Sequence, residues 1–149
     1  VEVITRLRKI GLSDYDIAST VATCLSQRLV RKICPHCAKE REFDEEEIKI
    51  IKKIGERYNE EFNLENKKTF EAIGCKHCNN TGYYGRIALF ELLEMTEELK
   101  ELVVTGESTI EIRRHAIENG YKPLEYDGIQ KVLKGITTLK ELNKKLLIF

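Results

Sequence analysis

"GCKHCNNTGYYGR", Gly74–Arg86, holds two cysteines two residues apart, then a polar turn, then a glycine and an arginine that lead into an apolar run. Taken alone it fits half of a metal site, half of a redox couple, or a turn that contains thiols. The deciding partner lies upstream: "CPHC", Cys34–Cys37, repeats the spacing, so four of the five cysteines fall into two C-x-x-C pairs. Such a turn holds two sulfurs on one side of the backbone, near the separation that tetrahedral zinc requires with bonds of about 2.3 Å. Cys34, Cys37, Cys75 and Cys78 together would make a closed, structural four-sulfur site.

The long interval from Ala38 to Gly74 is no obstacle. Closing a loop costs only about 0.6 kcal/mol more per doubling of its length, whereas structural zinc contributes roughly 10–16 kcal/mol in small peptides. Four thiolates around Zn²⁺ carry a net charge of −2, which nearby amides or cations must offset. Arg31, Lys32 and Lys39 near the first pair, and Lys76 and Arg86 near the second, are the candidates. Pro35 fixes one turn and Gly82 relieves the backbone after the other. A redox dithiol and inert buried thiols remain the alternatives, although two C-x-x-C pairs without a thioredoxin-like strand–helix context suit redox work poorly. Cys24 lies on an apolar stripe and reads as core. His36 and His77 sit inside the turns and are not expected to be ligands. His115, beside Arg113 and Arg114, reads as a solvated helix face.

At 149 residues and 42% hydrophobic content the chain can bury a core and is one domain, or two small ones. Lys+Arg and Asp+Glu balance at 25 each, which argues against a nucleic-acid binder, since those carry a basic excess. No run of about 18 apolar residues is present. "VEVITRLRKI" has no apolar core of a signal peptide, and a start without Met reads as a chain cut from something longer. An odd cysteine in so Lys- and Glu-rich a sequence suits a reducing compartment better than a disulfide framework.

Helices dominate. "SDYDIASTVATC" offers Ser13 as N-cap and a stripe of Ile17, Val21 and Cys24. "DEEEIKIIKKIGERY" pairs Asp44 with Glu47 as a capping box and aligns Ile48, Ile51, Ile54 and Tyr58. "STIEIRRHAIENG" and "TLKELNKKLL" repeat the device with Ser108 and Glu111, then Thr138 and Glu141; Gly120 is placed to stop the first. "TEELKELVVTG" carries Leu99, Leu102 and Val103, and "YDGIQKVLKG" carries Ile129, Val132 and Leu133. "RIALFELL", Arg86–Leu93, is apolar on both faces, as a buried strand is. "QRLVRKI", Gln27–Ile33, reads as a weaker strand or a helix end. Glu56–Phe70 is polar and reads as a loop. No P-loop, H-E-x-x-H, G-x-S-x-G or G-x-G-x-x-G occurs, and acidic runs such as Glu45–Glu47 suit helix dipoles better than catalysis.

Three stretches in order, "TRLRKIGLSDYDIASTVATCLSQRLVRKICPHC", "GCKHCNNTGYYGRIALFELLEMTEELKELV" and "ENGYKPLEYDGIQKVLKGITTLKEL", resemble the C-terminal region of bacterial type II secretion and type IV pilus assembly ATPases. The resemblance covers most of the chain except roughly Arg41–Ile73. It implies an α+β, predominantly helical fold: a C-terminal helical bundle, a short strand element and a tetracysteine zinc subdomain, the tail of a RecA-like P-loop ATPase. It implies residues 1–33 as the end of the ATPase core, 34–85 as the zinc-binding subdomain and 86–149 as the C-terminal strand and helical domain. The parent would be an ATP-hydrolysing homo-hexamer, cytoplasmic and peripheral to the inner membrane. It would work with inner-membrane platform proteins, and not with nucleic acid. ATP and magnesium would belong to the full-length parent, because the P-loop precedes Val1; this fragment would be inactive alone. The zinc at Cys34, Cys37, Cys75 and Cys78 would be structural, and the acidic helix Asp44–Tyr58 between the pairs a candidate docking surface. The alternative readings are a stand-alone zinc-ribbon adaptor for protein or nucleic acid, and a thiol oxidoreductase.

Overall fold

The computed structural model describes residues 1–147. Ile148 and Phe149, the end of the expected C-terminal domain, lie outside the described residues. The elements run α1 (Glu2–Lys9), α2 (Asp14–Thr20), β1 (Thr23–Ile33), β2 (Ala38–Arg41), α3 (Glu45–Arg57), β3 (Thr69–Ala72), a single 3-10 turn (Lys76–Cys78), β4 (Tyr83–Glu94), α4 (Glu97–Val104), α5 (Thr109–Glu118), α6 (Leu124–Leu133) and α7 (Leu139–Leu146). Two two-stranded sheets form, β1 with β4 and β2 with β3. The fold is α+β and mainly helical, as the sequence implies.

The chain divides into two compact units. The first comprises Val1–Ser26 and Glu91–Lys122; the second comprises Gln27–Phe90 and the chain from Pro123 onward. In the first, four short helices close over Ile4, Ile17, Leu93, Met95, Leu99, Val103, Ile112 and Ala116. Ser13, Thr96 and Ser108 each accept a backbone N–H from the first turn they precede, so helices too short to persist alone begin at fixed places. Arg8 ties the α1–α2 corner to the end of α4. It donates to Asp14 at 2.6 Å and to the carbonyls of Val103 and Glu107 at 3.3 and 3.1 Å, a cation at the negative end of a helix dipole.

In the second unit α3 packs on α6, and α6 on α7. Asp44 and Glu47 form the complete capping box at the start of α3, and Arg41 grips the Glu47 carboxylate with both guanidinium arms at 2.7 and 2.8 Å. At the other end of α3, Arg57 and the Tyr58 hydroxyl both donate to Glu125 of α6. Gly128 admits α7: a Cβ there would fall 2.7 Å from a Leu142 methyl.

Three expectations need correction. The helix in "SDYDIASTVATC" stops at Thr20; Val21 is extended and Cys24 belongs to β1. Val21 and Cys24 still pack against the first unit's core, so the stripe marked burial correctly and period wrongly. Gln27–Ile33 takes its strand reading, within a β1 that begins at Thr23, whereas Arg86–Leu93, expected to be buried on both faces, is strand with Phe90 and Leu92 exposed. Glu56–Phe70 is not all loop: Glu56 and Arg57 finish α3, Phe62 is buried, and Thr69–Phe70 open β3. Among the described residues no helix is long and apolar enough to cross a membrane.

Candidate metal centre

The two C-x-x-C turns stand together at one end of the antiparallel β2–β3 pair. Ala38, just after Cys37, pairs with Ala72, and Arg41 pairs with Thr69, in antiparallel register. Each turn is built locally. The N–H of Ala38 donates to the Cys34 carbonyl at 3.0 Å, and the N–H of Asn80 to the Cys75 carbonyl at 2.9 Å. Asn79 and Asn80 both take the left-handed conformation that Asn tolerates. Gly82 follows at φ +75°, and a Cβ there would meet Ala72 Cβ at 2.5 Å. Only glycine fits where the second turn crosses β3.

The ladder brings all four sulfurs together: the Sγ atoms of Cys34, Cys37, Cys75 and Cys78 lie within 4.8 Å of one another. Cys34–Cys75 is 3.9 Å, Cys37–Cys78 is 3.8 Å and Cys75–Cys78 is 3.8 Å. A tetrahedron with metal–sulfur bonds of about 2.3 Å has edges of about 3.8 Å. A disulfide would need about 2.05 Å. Cys34 and Cys78 are buried, Cys37 and Cys75 half-buried.

Backbone amides point at this cluster. Gly74 donates to Cys37 Sγ at 3.3 Å; Cys75 and Gly82 each donate to Cys78 Sγ at 3.2 Å. Burial pushes the Cys78 thiol up, but the Cys75 and Gly82 amides, with the neighbouring thiols, outweigh it and bring the value down to about 6. Burial dominates at Cys37, against the Gly74 amide, and pushes it up to about 12. Thiols ligate metal as thiolates, and the Cys75 and Gly82 amides favour that charge state at Cys78. The expected cationic compensation is corrected in part. Among the described residues, the donors reaching the sulfurs from outside the thiol set are amides, and Arg31 turns instead to Glu141.

His36 and His77, at equivalent positions in the two turns, are exposed and stack on each other at 4.2 Å, 19° from parallel. They lie outside the sulfur cluster. His115, on α5, contacts Asn119, which caps the C-terminus of that helix. Cys24 is half-buried in the first unit, and its burial pushes the thiol up.

Sequence reasoning missed the polar group behind the turns. Thr138 and Glu141 look like a capping box, and Thr138 does accept the Glu141 N–H at 3.2 Å. The Glu141 carboxylate, however, is fully buried and takes the Arg31 backbone N–H at 3.1 Å and guanidinium at 2.6 Å. Burial alone would raise its pKa; the Arg31 bonds and charge outweigh that and hold it below the usual carboxylate range. Arg31 lies 4.1 Å over the Tyr83 ring. No local pattern joins Glu141 to a residue 110 positions away, so the sequence carried no signal for this pair.

Comparison with known sequences gives one consistent result. The family described as type II/IV secretion system protein matches residues 1–144. A type IV pilus assembly ATPase PilB of Thermus thermophilus is 38% identical over 141 residues, covering 95% of this chain and 15% of that protein. A PilB of Pseudomonas aeruginosa is 34% identical over 143 residues, 96% of this chain and 24% of that protein. A type II secretion system protein E of Aeromonas hydrophila is 33% identical over 140 residues, 93% of this chain and 26% of that protein. The chain therefore spans a small part of the length of these relatives.

Proposed function

The chain belongs to the type II/IV secretion system protein family, and from that premise we propose that it is the C-terminal fragment of a secretion or pilus-assembly motor ATPase, carrying a structural zinc module. Cys34, Cys37, Cys75 and Cys78 would hold the ion. The observation that carries the reading is the sulfur geometry: three edges of 3.8–3.9 Å within a four-sulfur cluster. Four protein sulfurs with amide donors around them suit a closed structural site rather than a catalytic one. Zinc, when bound, supplies a cross-link between the two turns.

ATP hydrolysis and its magnesium are assigned to the rest of the parent polypeptide, since this sequence carries no P-loop. The three-part division, with residues 1–33 closing the ATPase core, 34–85 as zinc subdomain and 86–149 as C-terminal domain, belongs to this reading. So do the hexamer, the cytoplasmic face of the inner membrane and the platform-protein partners. The acidic start of α3 is the proposed docking surface. Glu47 is held by Arg41, which leaves Glu45 and Glu46 exposed for a partner. Charge reversal of Glu45 and Glu46 that left platform-protein binding unchanged would remove the docking role.

Elemental analysis of the purified chain tests the metal reading. One zinc per chain, lost in Cys75→Ser, is expected. A well-folded chain with all five thiols titratable and no metal after growth with zinc would overturn it.

A further inference from the structure

The segment Ile136–Glu141 makes contacts that the metal reading leaves unexplained. Ile33 N–H donates to the Ile136 carbonyl at 2.9 Å. The Thr137 hydroxyl donates to the Arg31 carbonyl at 2.8 Å. Glu141 takes both the backbone N–H and the guanidinium of Arg31. Thr138 Oγ1 meets the Tyr83 hydroxyl at 2.8 Å, and the Tyr83 ring lies under Arg31. Cys34 N–H closes the base by donating to the Gly82 carbonyl at 3.0 Å. Arg31 and Ile33 lead into the first C-x-x-C turn; Gly82 and Tyr83 lead out of the second. One short segment therefore ties the entry and exit stems of the module, through bonds that involve no sulfur.

We propose that Arg31, Tyr83, Thr137, Thr138 and Glu141 form a metal-independent clasp that holds the two stems in register and so sets how long the cage retains its ion. They are positioning residues, and the inference rests on the zinc reading above. A four-ligand cage keeps its metal in proportion to how little its ligands can drift apart, and partners outside the ligand shell typically govern affinity by about 10–100-fold. Glu141 is fully buried, so its carboxylate cannot exchange Arg31 for water without opening the stem.

Zinc transfer from the loaded 149-residue chain to excess 4-(2-pyridylazo)resorcinol, read with amide hydrogen exchange at Ile33 and Cys34, tests this. Glu141→Gln is expected to release zinc about tenfold faster or more and to lose protection at both amides. Arg31→Lys, which keeps the charge without the fork, should fall between it and the native chain. Tyr83→Phe removes only one hydroxyl and serves if Glu141→Gln fails to fold; it should also speed release. Val132→Ala, buried on α6, is the control for general loosening and should leave release unchanged at a temperature well below melting. Equal release from Glu141→Gln and Val132→Ala would overturn the clasp. If the native chain binds no zinc, the metal reading falls instead. Exchange at Ile33 and Cys34 then decides the clasp: loss of protection in Glu141→Gln supports it, and no change overturns it.

Discussion

The two units are held by different physics. The first, of roughly 60 residues, is small enough that burial is barely sufficient, and its interior is apolar, with Ile4, Ile17, Leu99, Val103 and Ile112 0–2% exposed and its polar ties, such as Arg8 to Asp14, outside that core. The second has an apolar interior as well, with Ile51, Ile54, Leu89, Ile129 and Leu142 0–1% exposed, and adds to it groups that have only one acceptable partner. These are four sulfurs in one cluster, Glu141 with Arg31, Glu47 with Arg41, and Glu125 with Tyr58 and Arg57. Apolar contacts degrade gradually when trimmed, because neighbours relax into the space. Ligand sets and buried ion pairs fail more abruptly, because what remains is a thiol, polar group or charge without its partner. The first unit should therefore tolerate substitution by degrees and the second should not.

Metal removal should separate them most widely. Structural zinc contributes on the order of 10–16 kcal/mol, as much as the whole stability of an ordinary domain. Chelation, or Cys75→Ser, is expected to open both turns and the β2–β3 hairpin. Amide exchange at Cys75 and Gly82 should accelerate by orders of magnitude while Leu99 and Ile112 stay protected. If protection at Leu99 and Ile112 falls in step, the two units are one cooperative structure and the comparison fails.

Next in size is Ile112→Ala in the first core. Ile112 is fully buried, and such truncations cost about 2–5 kcal/mol including the cavity. Denaturant unfolding should register the loss in the first unit, and zinc content should remain at the native level. Zinc loss from this variant would show that the apolar core supports the metal module.

How much of this contrast the sequence disclosed follows from the same physics. Helix starts were legible because a cap is a local event: Ser13, Asp44, Ser108 and Thr138 all accept the expected N–H. The sulfur pairs were legible because a C-x-x-C turn is likewise local. The hairpin that unites them was not. "AKER" and "TFEA" have no hydrophobic alternation, and they pair because the turns at their ends hold Ala38 against Ala72. Val21 and Cys24 misled because a stripe at spacing four and three suits a helix, while the backbone is extended there and β1 is paired with β4. Glu141 misled for the opposite reason. A carboxylate three residues after a threonine has a local use, and here a partner 110 residues away takes it.

Acid gives a third and smaller separation. Glu141 has a lowered pKa in the folded chain. Its contribution is complete above the unfolded glutamate value of about 4.3 and drains away as pH falls below that, through the lowered folded value. Arg31 is 36% exposed and keeps access to water when its partner is lost, so the effect should be that of charged hydrogen bonds, about 2 kcal/mol, rather than that of a stranded buried charge. The native chain should be the more stable at pH 6, and the gap to Glu141→Gln should shrink toward pH 3. A gap independent of pH would mean that the variant acts by shape and not by charge.

The smallest effect sharpens the comparison most finely, because one device occurs in both units. Ser108 and Thr138 each cap a helix by accepting the N–H three residues on. Ser108 stands at the surface of the first unit, and the Glu111 carboxylate is taken by Arg114 within the same helix. Ser108→Ala should therefore cost only the cap, about 1 kcal/mol. Thr138 is 6% exposed and also meets the Tyr83 hydroxyl. Thr138→Ala strands that hydroxyl as well, which adds a desolvation cost of about 1–3 kcal/mol. Paired denaturation curves measure the difference. Equal losses would mean that water reaches Tyr83 as easily as it reaches Ser108, and the second unit's dependence on single partners would not extend to its neutral groups.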